Sequence, residues 1–397
     1  MRGKKNNLLN LVLPFFLFLT FSIPSLKIVF ISSELVNVVS ILGLFFIGAL
    51  RALDNKKLPF LIGEGRKRLL SLLLFFWLVL ILSGLISSHI ALSVIELSQY
   101  LSIIIAFSAV LLFVEGKDIK KLFFFQFGWG VFLSILSILD LITLDRSDGQ
   151  NYLVLGVPLA IALLLSVALF FTKDWWLYRA AGILGVIITV GALSQLDGRA
   201  PLLFPMILIV AYVIYYNWKN GNFYWIFGTV GAFVVFVAGA FLMAPESRID
   251  RMMRLFTNID EEPRVEIYAY YLKKSFDNVL GYGLKAWSNE SAGGYPHNFF
   301  LEVMFSAGLL GLLLSIIITV LFLTFSWFLI RNWGDQFLAV GSVFLVLYLF
   351  MTWNVSFELS GTYMLFSAIA VVGVVYFEFK NKRLNHADSY NTINRLK

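Results

Sequence analysis

The sequence predicts an all-α integral membrane protein with about twelve transmembrane helices, and three observations support this prediction. Hydrophobic residues make up 59% of the 397 residues and charged residues only 14%, against roughly 45–50% and about 25% in soluble domains. Apolar runs of the length that spans a bilayer, about 20 residues, recur along the whole chain. The loops between these runs alternate in positive charge, which is typical of multi-pass proteins.

The first apolar run follows a short basic segment and reaches about Ile31, which is too long for a signal peptide. We therefore count it as a span. The predicted spans are approximately 8–31, 34–52, 69–88, 93–114, 120–142, 152–172, 178–194, 200–217, 222–243, 308–330, 336–353 and 361–379.

Lysine and arginine concentrate in one set of loops, which the positive-inside rule assigns to the cytoplasm. Both termini then face the cytoplasm, and the chain forms a single polytopic domain over 1–397. A polar cytoplasmic tail, which we expect to be mobile, covers 381–397. The net charge of +7 is explained by this orientation and by attraction to anionic lipid. No nucleic-acid partner is predicted. Because cysteine is absent, disulfides and thiolate metal sites are excluded.

The long loop at 244–297, between spans 9 and 10, is predicted to be helical and extracytoplasmic. Its basic residues Arg248, Arg251 and Arg254 are spaced three apart among apolar residues, which indicates a helix lying on the membrane surface. A second helix is predicted from Arg264 to about Asn278, because Pro263 and the acids before it suit a helix start.

Arginines on the outer face oppose the positive-inside bias, so they need a reason. Arg146 and Arg199 lie in short outer loops, and Arg264 opens the second loop helix. The arginine fork forms bidentate, charge-assisted hydrogen bonds and stays charged, which suits a phosphate ligand. His297 lies where the loop re-enters the membrane, and an imidazole can accept a proton near neutral pH.

The order of these residues resembles a known family. Arg199 at a helix mouth and Arg264 at a helix start precede Gly281-x-Gly283, Pro296-His-Asn-x-x-Leu301 and Gly-Leu-Leu-Gly311. This order is similar to that of the O-antigen ligase and O-antigen polymerase family of membrane glycosyltransferases. The resemblance covers about 195 to 330, and the loop with Arg146 matches a weaker family element.

The resemblance implies a metal-independent, GT-C-like glycosyltransferase in the bacterial inner membrane, with its active site on the periplasmic face. It implies no cofactor and a donor glycan on undecaprenyl diphosphate, with Arg199 and Arg264 holding the diphosphate and His297 serving the acceptor hydroxyl. Further candidates for substrate binding are Arg146, Arg251, Arg254, Asn298, Gly281, Gly283, Tyr282 and Trp287. Membrane lipid and a chain-length regulator protein are additional candidate partners.

Each of these residues also has a structural interpretation. His297 could be a loop histidine with a structural hydrogen bond, and Arg199 could extend towards lipid headgroups. Tyr282 and Trp287 could stack on sugars or sit at the membrane interface. Asn298 could orient the histidine and Glu302 could be its charge partner. Glu96 and Gln99 are expected to pair inside the bundle, His89 is expected at the surface, and His386 is given no role.

We expect a polymerase that moves the growing chain from one lipid-linked repeat unit onto the next. A ligase that transfers the glycan to lipid A–core is the alternative within the class. A flippase or other transporter is the alternative from another class, although the polar residues concentrate on one face and no internal repeat is visible.

Overall fold

The computed structural model describes residues 6–29, 35–54, 63–86, 94–142, 151–172, 176–196, 200–224, 227–228, 231, 263–290 and 294–395. Within these residues the chain is helical and contains no β-strand. The helices are α1 Asn6–Val29, α2 Leu35–Asp54, α3 Glu64–Ile86, α4 Val94–Phe113, α5 Gly116–Ile138, α6 Asn151–Phe171, α7 Trp176–Gln195, α8 Ala200–Lys219, α9 Pro263–Asp277, α10 Phe299–Trp333, α11 Phe337–Trp353 and α12 Tyr363–Arg395. Two short 3₁₀ helices lie at Ala286–Asn289 and Leu359–Gly361.

The protein is a multi-pass membrane protein, as the sequence predicts. Among the described residues, nine helices are long and apolar enough to cross a membrane, and two shorter apolar helices lie at Leu97–Phe113 and Phe337–Trp353. These eleven helices match eleven of the twelve predicted spans. The remaining span, at 222–243, lies largely outside the described residues, and the orientation of the termini stays a prediction.

The centre of the bundle is formed by α6, α11 and α12. In α6, 83% of the membrane-spanning window is buried, whereas the corresponding value is 28% in α7 and α8. A helix that is hydrophobic on every side can be surrounded by other helices, and α6 has that composition. The peripheral helices instead expose leucine, isoleucine and phenylalanine side chains, which suits contact with lipid.

Two ion pairs, one buried and one partly buried, connect helices at one end of the bundle. Arg51 of α2 donates to Asp118 of α5 at 2.7 Å, and both side chains are buried. Arg66 of α3 donates to Glu378 of α12 at 3.0 Å, and the same carboxylate accepts the Gly116 backbone N–H at 2.8 Å. Breaking the Arg51–Asp118 pair would leave an uncompensated buried charge. Together these contacts connect four helices.

The opposite end of the bundle carries His297. Helix α10 runs from this end to Trp333, and Arg383 of α12 donates to Asn332 at 3.2 Å, beside the ion-paired end. Helix α12 continues to Arg395, beyond the predicted end of the last span at 379 and into the predicted tail. Helix formation continues through 381–395, where glycine and proline are absent, and the mobility of the tail stays a prediction.

Candidate functional site

The long helix α10 is broken next to the candidate site. Ala307 and Gly308 have non-helical backbone angles, with φ of −123° and +64°, and they separate a short segment at 299–306 from the rest of α10. A break in a helix leaves backbone groups without their usual partners. The nearby loop at 279–283 supplies new ones: Tyr282 N–H donates to the Phe305 carbonyl at 2.8 Å and Gly283 N–H to the Ser306 carbonyl at 2.9 Å.

Glycine makes this close approach of two backbones possible. Gly281 has φ of +87°, and a Cβ atom there would lie 2.5 Å from the Gly308 nitrogen and the Ser306 oxygen. A Cβ atom on Gly308 would lie 1.9 Å from the Val279 oxygen. Gly283 also has a positive φ, of +98°. The two predicted glycines of the loop therefore dock it into the α10 break, and their contact with substrate stays a prediction.

His297 lies immediately before the short segment of α10 in a strained backbone conformation. Its φ is +52°, a region that non-glycine residues occupy at some cost. The imidazole packs on the ring of Tyr295, with ring centroids 3.9 Å apart. Its Nδ1 atom is buried and has no hydrogen-bond partner among the described residues. The ring is therefore held in place with one buried nitrogen that has no partner among the described residues.

Arg264 acts electrostatically on this imidazole. Tyr268, one helical turn after Arg264, donates a hydrogen bond to the His297 carbonyl at 3.3 Å, which attaches α9 to the histidine. Burial, followed by the positive charge of Arg264, lowers the pKa of His297 to about 4. At neutral pH the imidazole is uncharged, which is the form that a general base requires.

The position of Arg264 is also unfavourable for its own helix. It is the second residue of α9, and a cation in the first turn opposes the partial positive charge of the helix N-terminus. Among the described acidic residues, none forms an ion pair with its guanidinium. Helix α10 also begins here, with His297 and Asn298 just before its first turn. Arg264 and the N-terminus of α10 therefore place positive charge near His297, while Glu266 adds a carboxylate to the first turn of α9.

Asn298 is occupied by the fold rather than by the ring of His297. Its Oδ1 accepts the Leu301 N–H at 3.1 Å and so caps α10. Its Nδ2 donates to the Asn354 carbonyl at 3.5 Å, which connects the site to the loop between α11 and α12. In these contacts the asparagine orients the helix start, in contrast to the expectation that it orients the imidazole directly.

Glu302 is buried one turn into α10. Its carboxylate accepts the Leu359 N–H at 2.8 Å, and the indole N–H of Trp287 lies close by, outside good hydrogen-bonding geometry. Tyr295 donates to the Ser356 carbonyl at 2.9 Å, beside the same turn. The carboxylate therefore ties the α11–α12 loop to the short segment of α10, and its described contacts differ from the expected pairing with His297.

Aromatic side chains form a further part of the candidate site. Tyr282 stacks on Phe305 with ring centroids 4.8 Å apart, and Trp287 lies 5.6 Å from the Tyr295 ring. Tyr271 is fully buried below them and donates to the Gly294 carbonyl at 2.6 Å. The sequence predicts Trp287 as a site residue but not Tyr295. Both side chains are half-buried. These two rings therefore remain accessible beside His297.

A charged cluster adjoins these aromatic side chains. Lys274 and Tyr270 of α9 both donate to the carboxylate of Glu290. These hydrogen bonds, one of them also an ion pair, tie α9 to the segment after the 3₁₀ helix. The cluster thus fixes the loop that carries Trp287.

Several predicted residues fall outside the described part of the chain. These are Arg146, Arg199, Arg248, Arg251, Arg254 and His89. The side chain of Glu96 is also outside it, whereas Gln99 is exposed. Their predicted roles stay predictions, and so does the metal independence of the site.

Sequence reasoning missed Tyr268, Tyr295 and Asn354. Tyr268 follows Arg264 by four residues and so shares its helix face, a signal that could have been used. Tyr295 lies two residues before His297. Asn354 is far from the site in sequence, and only the packing of α11 against α10 brings it there.

Comparison of this sequence with protein-family models and with curated proteins gives no match.

Proposed function

We propose that this chain is a membrane glycosyltransferase that polymerises oligosaccharide repeat units carried on undecaprenyl diphosphate. The observation that carries the proposal is the uncharged imidazole of His297, with a buried free nitrogen, held beside the guanidinium of Arg264. A base next to a fixed positive charge suits a reaction in which a hydroxyl loses a proton while an anion leaves. The sugar-lipid identity of the substrate comes from the resemblance of the Arg264-to-Gly311 motifs.

The proposed reaction transfers one glycosyl group, with one bond formed and one broken. The acceptor hydroxyl oxygen attacks the anomeric carbon of the donor sugar and forms the new glycosidic bond. The bond between that carbon and the diphosphate oxygen breaks, and its electron pair leaves with undecaprenyl diphosphate. The hydroxyl proton passes to His297, while Arg264, together with the predicted Arg199, stabilises the departing negative charge.

Because Arg264 is close to His297, binding of the donor should change the pKa of the imidazole. Arg264 lowers the pKa of His297. A diphosphate bound to Arg264 would offset that charge and raise the pKa of the imidazole. His297 would then become a stronger base once the donor is bound, which would limit proton uptake in the absence of substrate.

A small apolar cavity lies beside the loop between α11 and α12. It has a volume of about 100 Å³ and is lined by Trp353, Phe357 and Met364 together with residues of α1 and α6. The loop that follows Trp353 also accepts hydrogen bonds from Tyr295 and Asn298. An apolar space and the charged site therefore share one loop.

The test is a reconstituted reaction in vesicles with lipid-linked repeat units and excess chelator, read as a ladder of chain lengths. His297→Asn is the informative variant, because asparagine tolerates positive φ but has no imidazole. General-base catalysis typically contributes about 10²–10⁴-fold, so we expect turnover to fall by about that factor while donor binding persists. His386→Asn is the matched control.

Arg264→Lys tests the diphosphate contact, because lysine keeps the charge but lacks the bidentate fork. We expect weaker donor use, with Arg331→Lys, an exposed arginine at the other end of α10, as the control. Adding lipid A–core distinguishes a ligase from a polymerase, because a ligase would form product only when that acceptor is present. An undiminished ladder in His297→Asn, or donor crossing the bilayer without any ladder, would refute the polymerase.

A further inference from the structure

Helix α9 exposes a row of apolar side chains. Val265, Leu272 and Phe276 have 40%, 46% and 63% of their surface exposed, and they lie at positions i, i+7 and i+11 of the same helix. With about 3.6 residues per turn, these positions fall on one narrow face. We call these three residues the α9 stripe, and they lie outside the segment with Arg248 to Arg254 that the sequence assigns to the membrane surface.

The rest of α9 has two other faces. Tyr271 and Ser275 are buried against the protein, and Tyr268 bonds the His297 carbonyl. Glu266, Lys273 and Asp277 are exposed on the far side of the stripe. The stripe therefore lies between a protein-facing side and a charged side, which is the arrangement of a helix lying in a membrane interface.

The apolar surface continues beyond the helix. Val279 and Leu280, directly after α9, are 55% and 84% exposed. Val279 accepts the Leu309 N–H at 3.0 Å, so this segment touches the start of the long part of α10. There Leu310 and Leu313 are 50% and 55% exposed, on a helix that is apolar enough to cross the membrane. The stripe is thus continuous with a surface that faces lipid.

From this continuity we infer that α9 lies along the membrane–water boundary, with the α9 stripe and Leu280 in contact with the acyl chains of the adjacent leaflet. Its charged side faces water. Amphipathic helices of this kind bury their apolar face by about 5–10 Å. Arg264 lies on the same helix, so this position places its guanidinium at the depth of lipid phosphates. The inference does not rest on the proposed function.

The absence of cysteine from the chain makes the test direct. Single cysteines at Leu272, Phe276 and Leu280 carry a nitroxide label, and Glu266, Lys273 and Asp277 provide matched positions on the charged side. The labelled proteins are reconstituted in vesicles of phosphatidylethanolamine and phosphatidylglycerol (~3:1 by moles), which present an anionic surface. Collision with oxygen and with a water-soluble nickel chelate is measured at every site, with Leu310 and Ser288 as lipid and water references.

We expect the oxygen-to-nickel collision ratio at Leu272, Phe276 and Leu280 to exceed that on the charged side several-fold and to approach the Leu310 value. Equal ratios on the two sides would overturn the inference, since the stripe would then face water. Strong spin–spin broadening that disappears on dilution with unlabelled protein would also overturn it, because a second copy of the chain would then cover the stripe. Because all six positions are exposed, labelling should preserve folding, which elution as a single species checks.

Discussion

Replacing Gly281 by alanine tests whether the docked loop holds the candidate site together. The new Cβ atom would lie 2.5 Å from backbone atoms of Ser306 and Gly308, and neither can move without disturbing α10. The loop would undock, with loss of the hydrogen bonds from Tyr282, Gly283 and Leu309. At about 0.5–1.5 kcal/mol for each bond, this loss is worth about 3 kcal/mol, in addition to about 1–2 kcal/mol for an alanine at positive φ.

Gly221→Ala isolates the backbone contribution. Gly221 has φ of +73°, yet a Cβ atom added there would have no atom within 4 Å. This control should therefore cost only the backbone contribution of about 1–2 kcal/mol. The assay is unfolding of the purified protein in mixed micelles by increasing fractions of sodium dodecyl sulfate, followed by circular dichroism. Equal losses of stability for Gly221→Ala and Gly281→Ala would refute the docking argument.

The double variant Gly281→Ala/Gly308→Ala sharpens the same test. Both single substitutions break the same contact, because a Cβ atom on Gly308 would lie 1.9 Å from the Val279 oxygen. Contacts that are already lost cannot be lost again, so the two effects should be strongly non-additive. A sum of the two single losses would show that the glycines act independently.

Two further predictions concern His297 and Asn298. Because burial and Arg264 lower the pKa of His297 from 6.5 to about 4, the unfolded chain binds more protons between these values, and stability should fall as the pH decreases from 6.5 to about 4. His297→Asn should flatten that part of the pH profile of unfolding, and a slope that persists unchanged would contradict the assignment. Asn298→Ala should cost about 1 kcal/mol through loss of the helix cap, whereas Asn298→Asp should retain most of it; unfolding of both variants at pH 7 provides the measurement, and equal stability of both would exclude a capping role.

Much of the fold could be predicted because the thickness of the bilayer sets the length of each spanning helix. Apolar runs of about 20 residues indicate spans regardless of how the helices pack. The boundary of α10 shows the limit of this reasoning. The sequence places the start of that span at 308 from the length of the apolar run, and the structure interrupts the helix there. The residues before it form helix as well, capped by Asn298, because the loop at 279–283 satisfies the interrupted backbone.

The candidate site shows a similar division. The sequence predicts that Arg264 and His297 act together, and their joint role stays a prediction. In the structure Tyr268 attaches α9 to the His297 carbonyl, and the charge of Arg264 helps to lower the pKa of the imidazole. What the sequence could not reveal is the support for this pair. The Tyr282 and Gly283 contacts with α10 run through backbone atoms, which every residue possesses, and only the glycines that permit them leave a trace.

The same backbone contacts give a structural reason for the glycines near His297, which need not contact a substrate. Gly281 and Gly308 face each other across the α10 break, so each is needed for the position of the other. His297 lies at the start of the short segment that this contact anchors, and Arg264 lies on the helix that leads into the loop. The glycines thus help to set the position of His297 relative to α9, which carries Arg264, without touching either side chain. A substitution in the loop should therefore change the electrostatic environment of His297 before it changes any group that contacts substrate.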